Sequence, residues 1–311
     1  MRVVEAFLRG KRPDQELCED AYVPGEHFAA VIDGVTAKSA LRYPPSVPGR
    51  ETQSPGRFAA DVASAYLGAA GFDERLRTMT FAELLHELDS RLHDAAVRAI
   101  SSGAGGDSSR ADAGGEAYEP RTGAGDSSAL RLEDWPRACF VLYNDYSHVV
   151  WSYGDCQCIV DGVVMTHEKE IDRINAAKRC AVVEEFLAAG GTEDEVRAHD
   201  PGRDAIKLAL IAQLQHENVL GPLGYPVLNG LGAEPRLAVV HPVPEGSDVV
   251  LASDGYPSGC LHATLAESEA RLHDVLARDP LCYRENKQTK GIQPGNESYD
   301  DRCYVRLGYR R

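Results

Sequence analysis

Phe28-Ala29-Ala30-Val31-Ile32-Asp33-Gly34 is an apolar run that ends abruptly on a carboxylate and a glycine. A β-strand that runs straight into Asp-Gly places the acid at the mouth of a rigid element, fixed in position yet open to water. The same design recurs in Val249-Val250-Leu251-Ala252-Ser253-Asp254-Gly255. A third acidic pair, Asp300-Asp301, opens a final strand over Arg302 to Leu307. A fourth, Glu19-Asp20, opens the strand Ala21 to Val23, just ahead of the one that ends at Asp33.

Working outward, strands and helices come in clusters. A helix is expected over Phe58 to Leu67. Phe81, Leu84, Leu85, Leu88, Leu92 and Ala96 form one face of a second, with Thr80 and Glu83 as its capping box. Downstream, Ala138 to Tyr143, His148 to Tyr153, Cys156 to Val160 and Val163 to Thr166 read as a β meander, with a tight hairpin at Asp161-Gly162. The segment Glu170 to His216 is polar and helical. It carries a short helix around Val182 to Leu187 that ends at Gly190-Gly191, a capping box at Thr192 and Glu195, and a helix over Ala205 to Leu214. Strands over Leu237 to Val240 and Val249 to Ser253 follow, then a helix over Leu265 to Leu276 capped by Thr264 and Glu267. Strand clusters separated by helix pairs indicate α+β layers rather than regular βαβ alternation. Ser101 to Ser128, rich in Gly, Ser, Ala and Asp, has too few large apolar residues to offset its ordering entropy; it reads as a flexible insertion within one domain of residues 1–311.

Carboxylates that converge repel one another unless a cation neutralises them. Their hard oxygens suit Mg²⁺ or Mn²⁺ rather than zinc or copper. Two such ions, about 3.5–4 Å apart, can orient a phosphate for in-line attack. The glycine after Asp33 permits a tight turn, and its carbonyl could face a metal as a further oxygen ligand. A single Asp-Gly after a strand is usually only a turn, and Asp161-Gly162 is read that way.

The order and form of these segments resemble the metal-dependent type 2C protein phosphatases. The features carrying the resemblance are Glu19-Asp20, Asp33-Gly34, Tyr153-Gly154-Asp155, Leu251-Ala252-Ser253-Asp254-Gly255, and Asp300-Asp301 leading into Arg302-Cys303-Tyr304-Val305. Only Leu-Ala-Ser-Asp-Gly is moderately specific by itself, but all five in this order, with compatible strands and helices, are hard to get by chance. The resemblance implies a four-layer α-β-β-α sandwich of two antiparallel sheets flanked by helix pairs. It implies a centre of two Mg²⁺ or Mn²⁺ ions held by Glu19, Asp33, Gly34, Asp254 and Asp300. Asp33 would bridge the ions and, with Asp254, serve catalysis. Asp155 matches a position tied to a third, weaker ion, and a plain turn acid is an equal alternative. The implied reaction is hydrolysis of phosphoserine or phosphothreonine esters by a metal-bridging hydroxide, without a phosphoenzyme.

The chain also departs from that pattern. Val35 stands where many members have a histidine, and Val35 cannot donate a proton. Gln15 to Cys18 contain no arginine to hold phosphate. Lys11 and Arg12 from an upstream loop, and Lys38 and Arg42 beyond Asp33, are the cations left for that role, with Arg12 and Lys38 the leading candidates. Gly224 to Gly232, around Asn229, and the polar helices before it form a flap over the site. Tyr283 to Glu297, with Lys287 and Lys290, reads as a solvated loop nearby. These departures leave two alternatives: a catalytically weak regulatory module on the same fold, or a hydrolase of small phosphate esters.

The chain has 311 residues and a net charge of −15, from 48 acidic and 33 basic side chains. An acidic surface disfavours nucleic acid and anionic lipid as partners. Glu5 and Arg9 interrupt the first residues too early for a signal-peptide core, and no apolar run reaches the roughly 18 residues of a membrane span. The expectation is a cytoplasmic monomer acting on a phosphoprotein or a small phosphorylated substrate. The eight cysteines lie mostly in apolar runs and read as buried hydrophobes; Cys156-x-Cys158 lacks the second pair of a zinc site. There is no H-x-x-x-H, no P-loop and no G-x-S-x-G elbow, which argues against zinc hydrolases, P-loop enzymes and serine hydrolases.

Overall fold

Alternate residues of β3 (Phe28–Gly34) enter different cores, and this explains why the run is apolar without a break. Ala29 and Val31 face a core shared between two sheets, whereas Ala30 and Ile32 face a layer of helices. The computed structural model describes residues 1–45, 51–101 and 131–308.

Two five-stranded antiparallel sheets stack face to face. One has the order β1 (Arg2–Arg9), β10 (Arg302–Gly308), β9 (Val249–Ala252), β6 (Gln157–Val160), β7 (Val163–Met165). The other runs β2 (Ala21–Pro24), β3, β4 (Ala138–Asn144), β5 (Val149–Tyr153), β8 (Val239–Pro242). Cys139, Val141 and Tyr143 of β4, Cys158 of β6, Leu251 of β9, and Cys303 and Val305 of β10 fill the space between them. Outside the second sheet lie α1 (Pro55–Leu67), α2 (Phe72–Leu76) and α3 (Phe81–Ser101). The apolar face of α3 packs there through the six residues that its sequence period picks out. Outside the first sheet, Leu272, Val275 and Leu276 of α7 (Leu265–Arg278) cover Ile159, Val250 and Ala252. The chain therefore forms the expected α-β-β-α sandwich.

A separate pair, α4 (Glu170–Ala188) and α6 (Pro201–Ala212), packs together beside the strand ends, with the short α5 (Glu193–Ala198) between them in sequence. The helix expected around Val182 to Leu187 is in fact the last third of α4. Its buried stripe includes Asn175 and Arg179, so the apolar period is broken by polar residues that find partners inside. Arg179, fully buried, donates to the Leu281, Cys282 and Gln288 carbonyls and pairs with Asp200 at 2.7 Å, fastening α4 to the loop before β10. Strand β1 was not foreseen. Its exposed edge residues and Glu5 hide the pattern, and its order comes from the ladder with β10.

Ser101 closes α3; the remainder of the expected insertion lies outside the described residues. All eight cysteines are buried and free, as their apolar surroundings suggest. Among the described residues no helix is long and apolar enough to cross a membrane.

Candidate metal centre

The ends of β3 and β9 and the β5–β6 turn meet at one edge of the sandwich. Asp33, Asp155 and Asp254 each bring a carboxylate oxygen there, and these oxygens all lie within 4.8 Å of one another. Tight turns and close backbone contacts make the approach feasible. The sequence reading gave Gly34 a tight turn. Instead it stays extended in β3 and lets two backbones meet, because a Cβ there would collide with the carbonyls of Gly56 and Glu19. Gly255 has the same role against the Asp301 carbonyl. The turn after β9 is held from beneath by Gln157, whose amide donates to the Ser253 and Tyr256 carbonyls at 3.2 and 2.6 Å. The Tyr299 hydroxyl donates to the Asp254 carbonyl at 2.9 Å.

A second group of acids surrounds Lys11. Its Nζ lies 3.1 Å from Asp300 Oδ1, 3.2 Å from Asp301 Oδ2, 3.3 Å from Glu19 Oε2 and 3.3 Å from Thr36 Oγ1. Glu19 is completed by Ser54, whose hydroxyl donates to Oε1 at 2.6 Å. Asp301 also accepts from the Lys11 and Glu19 backbone amides, so it shapes the loop between them. Asp300 carries a second ammonium, that of Lys290, at 2.6 Å. Asp155 is paired with Lys169 at 2.7 Å.

These partners divide the acids electrostatically. Burial pushes the Asp33 carboxyl up, and repulsion from Asp20, Asp155 and Asp300 adds to it. Asp254 is raised for the same reasons, with Asp33 its strongest repeller. Burial also works against Asp155 and Asp300, but the lysines more than offset it and hold both below the usual carboxylate range. Asp20, 1% exposed, is pushed up by burial and by Asp301, and its Oδ2 has no hydrogen-bond partner. Clustered half-buried carboxylates, of which Asp33 and Asp254 have no ammonium partner among the described residues, with an orphaned oxygen close by, are what a hard divalent cation would satisfy. The residues present therefore fit the Mg²⁺ or Mn²⁺ that the sequence suggests.

Beside the acids opens a cavity of 310 Å³ whose lining includes Asp33, Asp155, Asp254 and Asp300. Lys38, Lys169, Arg203 and Lys290 also line it. Of the two leading phosphate-binding candidates, Lys38 is in this wall and Arg12 is not; Lys11, the lesser candidate, is the cation that stands among the acids. Residues 285–290, expected as solvated loop, also border the cavity and bring Lys290 to Asp300. The segment around Asn229 is anchored by Asp89, whose carboxylate accepts from the Gly230 and Gly232 amides at 2.9 and 2.8 Å. It contributes Tyr225 and Val227 to the lining. Sequence reasoning missed Lys169 and Arg203. Neither lies in a motif, and only the packing of α4 and α6 carries them to the strand ends.

No protein-family profile matches the chain, and no curated protein matches it. Among solved structures, it is similar to the serine/threonine phosphatase PstP/Ppp of Mycobacterium tuberculosis, at 14% identity and a TM-score of 0.43, over 99% of this chain and 98% of that one. The PstP catalytic domain in complex with two manganese ions gives 15% and 0.45, over 98% of each chain. The serine/threonine phosphatase Stp1 of Staphylococcus aureus gives 11% and 0.44, over 100% of this chain and 96% of that one. At such identities and TM-scores the likeness assigns no role to any residue here.

Proposed function

We propose that this protein is a metal-dependent phosphatase that hydrolyses phosphate monoesters. The observation that carries the reading is the meeting of Asp33, Asp155 and Asp254 within 4.8 Å at the edge of a cavity that Lys38, Lys169, Arg203 and Lys290 also line. Acids gather there for a divalent cation, and cations gather beside them for an anion. A divalent ion in such a site supplies activation of water at neutral pH and neutralisation of charge on the phosphoryl oxygens.

The chain's own residues have distinct tasks. Asp33 and Asp254 hold the ion, with Asp155 close enough to join them. Glu19 and Asp300 are poised for a second ion or, through Lys11, for the phosphoryl group itself. Lys11 takes over phosphate binding from the arginine that Gln15 to Cys18 lack. Its ammonium sits among the acids, and only a small shift of its flexible stem separates a carboxylate partner from a phosphoryl oxygen. Val35 leaves the leaving group to be protonated by water. Phosphoserine and phosphothreonine are the esters that the resemblance implies. The small volume of the cavity favours a second reading, a small phosphorylated molecule.

The test is hydrolysis of p-nitrophenyl phosphate in EDTA, Mg²⁺ and Mn²⁺ by the native protein and by Asp33→Asn and Asp254→Asn. Metal-dependent turnover lost in both variants supports the reading. Folded protein inert in every metal, toward this ester and toward phosphopeptides, would instead indicate the regulatory module.

A further inference from the structure

The cations of the cavity are not equivalent. Lys169 and Lys290 are neutralised by Asp155 and Asp300. Lys38 and Arg203 spend their hydrogen bonds on neutral groups: Lys38 Nζ donates to the Thr36 carbonyl at 3.2 Å and Arg203 Nη1 to the Thr289 carbonyl at 3.0 Å. The charges that act on Lys38 are mainly positive, coming from Arg203 of α6, Lys290 of the 285–290 loop and Lys169 ahead of α4. Asp172 of α4 is the one acid among the strongest influences. Lys38, Lys169, Arg203 and Lys290 thus share the lining of one cavity, beside its acids, in a protein of net charge −15. Like charges held together where water is scarce are costly unless an anion joins them, and Lys38 and Arg203 are half-buried. One phosphoryl group at the acids would engage Lys11 and the ion there; Asp200, Asp172 and Asp300 act on Arg203, but the hydrogen bonds of Lys38 and Arg203 go to backbone carbonyls, so a second anion can still join them.

Resting on the phosphatase reading, we infer that the substrate is a small phosphate ester with a second anionic group, a phosphate or a carboxylate, bound by Lys38 and Arg203. Its scissile phosphoryl lies at Asp33 and Asp254. The cavity has room for a compound of that kind, since 310 Å³ lies at the lower end of ordinary small-molecule sites of roughly 300–1,000 Å³. Asp172 and Arg173 of α4, Arg203 and Leu210 of α6, and residues 285–290 border it, and its volume matches a compact ligand.

The experiment compares fructose bisphosphate with fructose monophosphate as substrates in Mn²⁺, using the native protein, Lys38→Gln and Arg203→Gln. The expected ratio of kcat/KM, bisphosphate over monophosphate, is at least about tenfold in the native protein, the worth of one charge-assisted contact. That ratio should fall several-fold in each variant. A native ratio near one, a ratio unchanged in both variants, or a phosphopeptide hydrolysed faster than either sugar phosphate overturns the inference. If p-nitrophenyl phosphate and every other ester resist hydrolysis, the phosphatase reading fails by itself. Calorimetric binding of the same two sugar phosphates then decides the anion site: tighter binding of the bisphosphate, lost in Lys38→Gln, upholds it, and equal binding overturns it. Lys38→Gln also reports its own folding, because removing a half-buried cation that Arg203 and Lys290 repel should hold or raise the melting temperature in the absence of anion.

Discussion

The ammonium of Lys11 lies 3.1 Å from the Asp300 carboxylate, although 289 residues separate the two in the chain. Strands β1 and β10 are neighbours in one sheet, so the loop after the first and the loop before the second emerge side by side. The lysine thereby joins the two ends of the fold at the acids, holding Asp300, Asp301 and Glu19 with one charge.

Replacing that ammonium, as in Lys11→Met, leaves three carboxylates facing one another. Removing one partner of a fully buried pair costs about 3–5 kcal/mol, and these groups keep some exposure, so about 1–3 kcal/mol is expected in metal-free protein. Added Mn²⁺ should recover more melting temperature in the variant than in the native chain, since the ion takes over the lost charge. Thermal denaturation in EDTA and in Mn²⁺ measures both. An unchanged melting temperature in EDTA would mean that Lys11 does not hold the acids together.

Asp155 and Lys169 form a second such pair, at 2.7 Å, with side chains only 15% and 9% exposed. Each single substitution, Asp155→Asn or Lys169→Met, strands a charge in a poorly hydrated place. A double-mutant cycle should return a coupling of about 1–3 kcal/mol. Lys169→Met should also free Asp155 for a cation, giving Mn²⁺ binding at least as tight as in the native protein. Weaker binding would show that the lysine positions the acid for the ion rather than competing with it.

The layers and strand ends were legible in the sequence because they follow local rules. Apolar runs stopping at Asp-Gly located Asp33 and Asp254, and the capping boxes at Thr80, Thr192 and Thr264 fixed helix starts that the structure repeats. What stayed hidden depends on contacts between distant segments. Lys290 is ten residues before Asp300 and looks like any loop lysine until the chain folds back. Arg203 reaches the cavity only because α6 packs on α4. The role of Gly34 was likewise misjudged, since the collision it avoids is with Gly56, a residue of another element.

Lys38 makes a prediction about pH. Burial, with Arg203 and Lys290 adding repulsion, pushes its ammonium down from 10.5 to about 7. Below pH 7 it is charged both folded and unfolded, and the penalty on the native state is complete. Between about 7 and 10.5 the folded chain has released the proton and the unfolded chain has not, so stability rises with pH across that window. Lys38→Gln should remove this contribution to the slope of stability against pH, measured by urea denaturation without phosphate. Affinity for a second anionic group should weaken as pH climbs through 7, since a neutral amine attracts no anion. A slope identical in native protein and variant would show that Lys38 keeps its charge throughout.

The acids of the centre set function against stability. Asp33 and Asp254 are held close, half-buried and mutually repelling, with Asp20 beside them. An asparagine at either position keeps the shape and removes one repulsive charge. Metal-free Asp33→Asn and Asp254→Asn should therefore be more stable than the native chain, by about 0.5–2 kcal/mol, the gain often found when a functional compromise is relaxed. Both should lose most of the stabilisation that Mn²⁺ confers on the native protein, because mass action on the folded state weakens as the ion's affinity falls. Denaturation with and without Mn²⁺ reads both effects without any assay of turnover. Variants less stable than the native chain in EDTA would show that these carboxylates are satisfied by protein partners, and that the centre is not built around a cation.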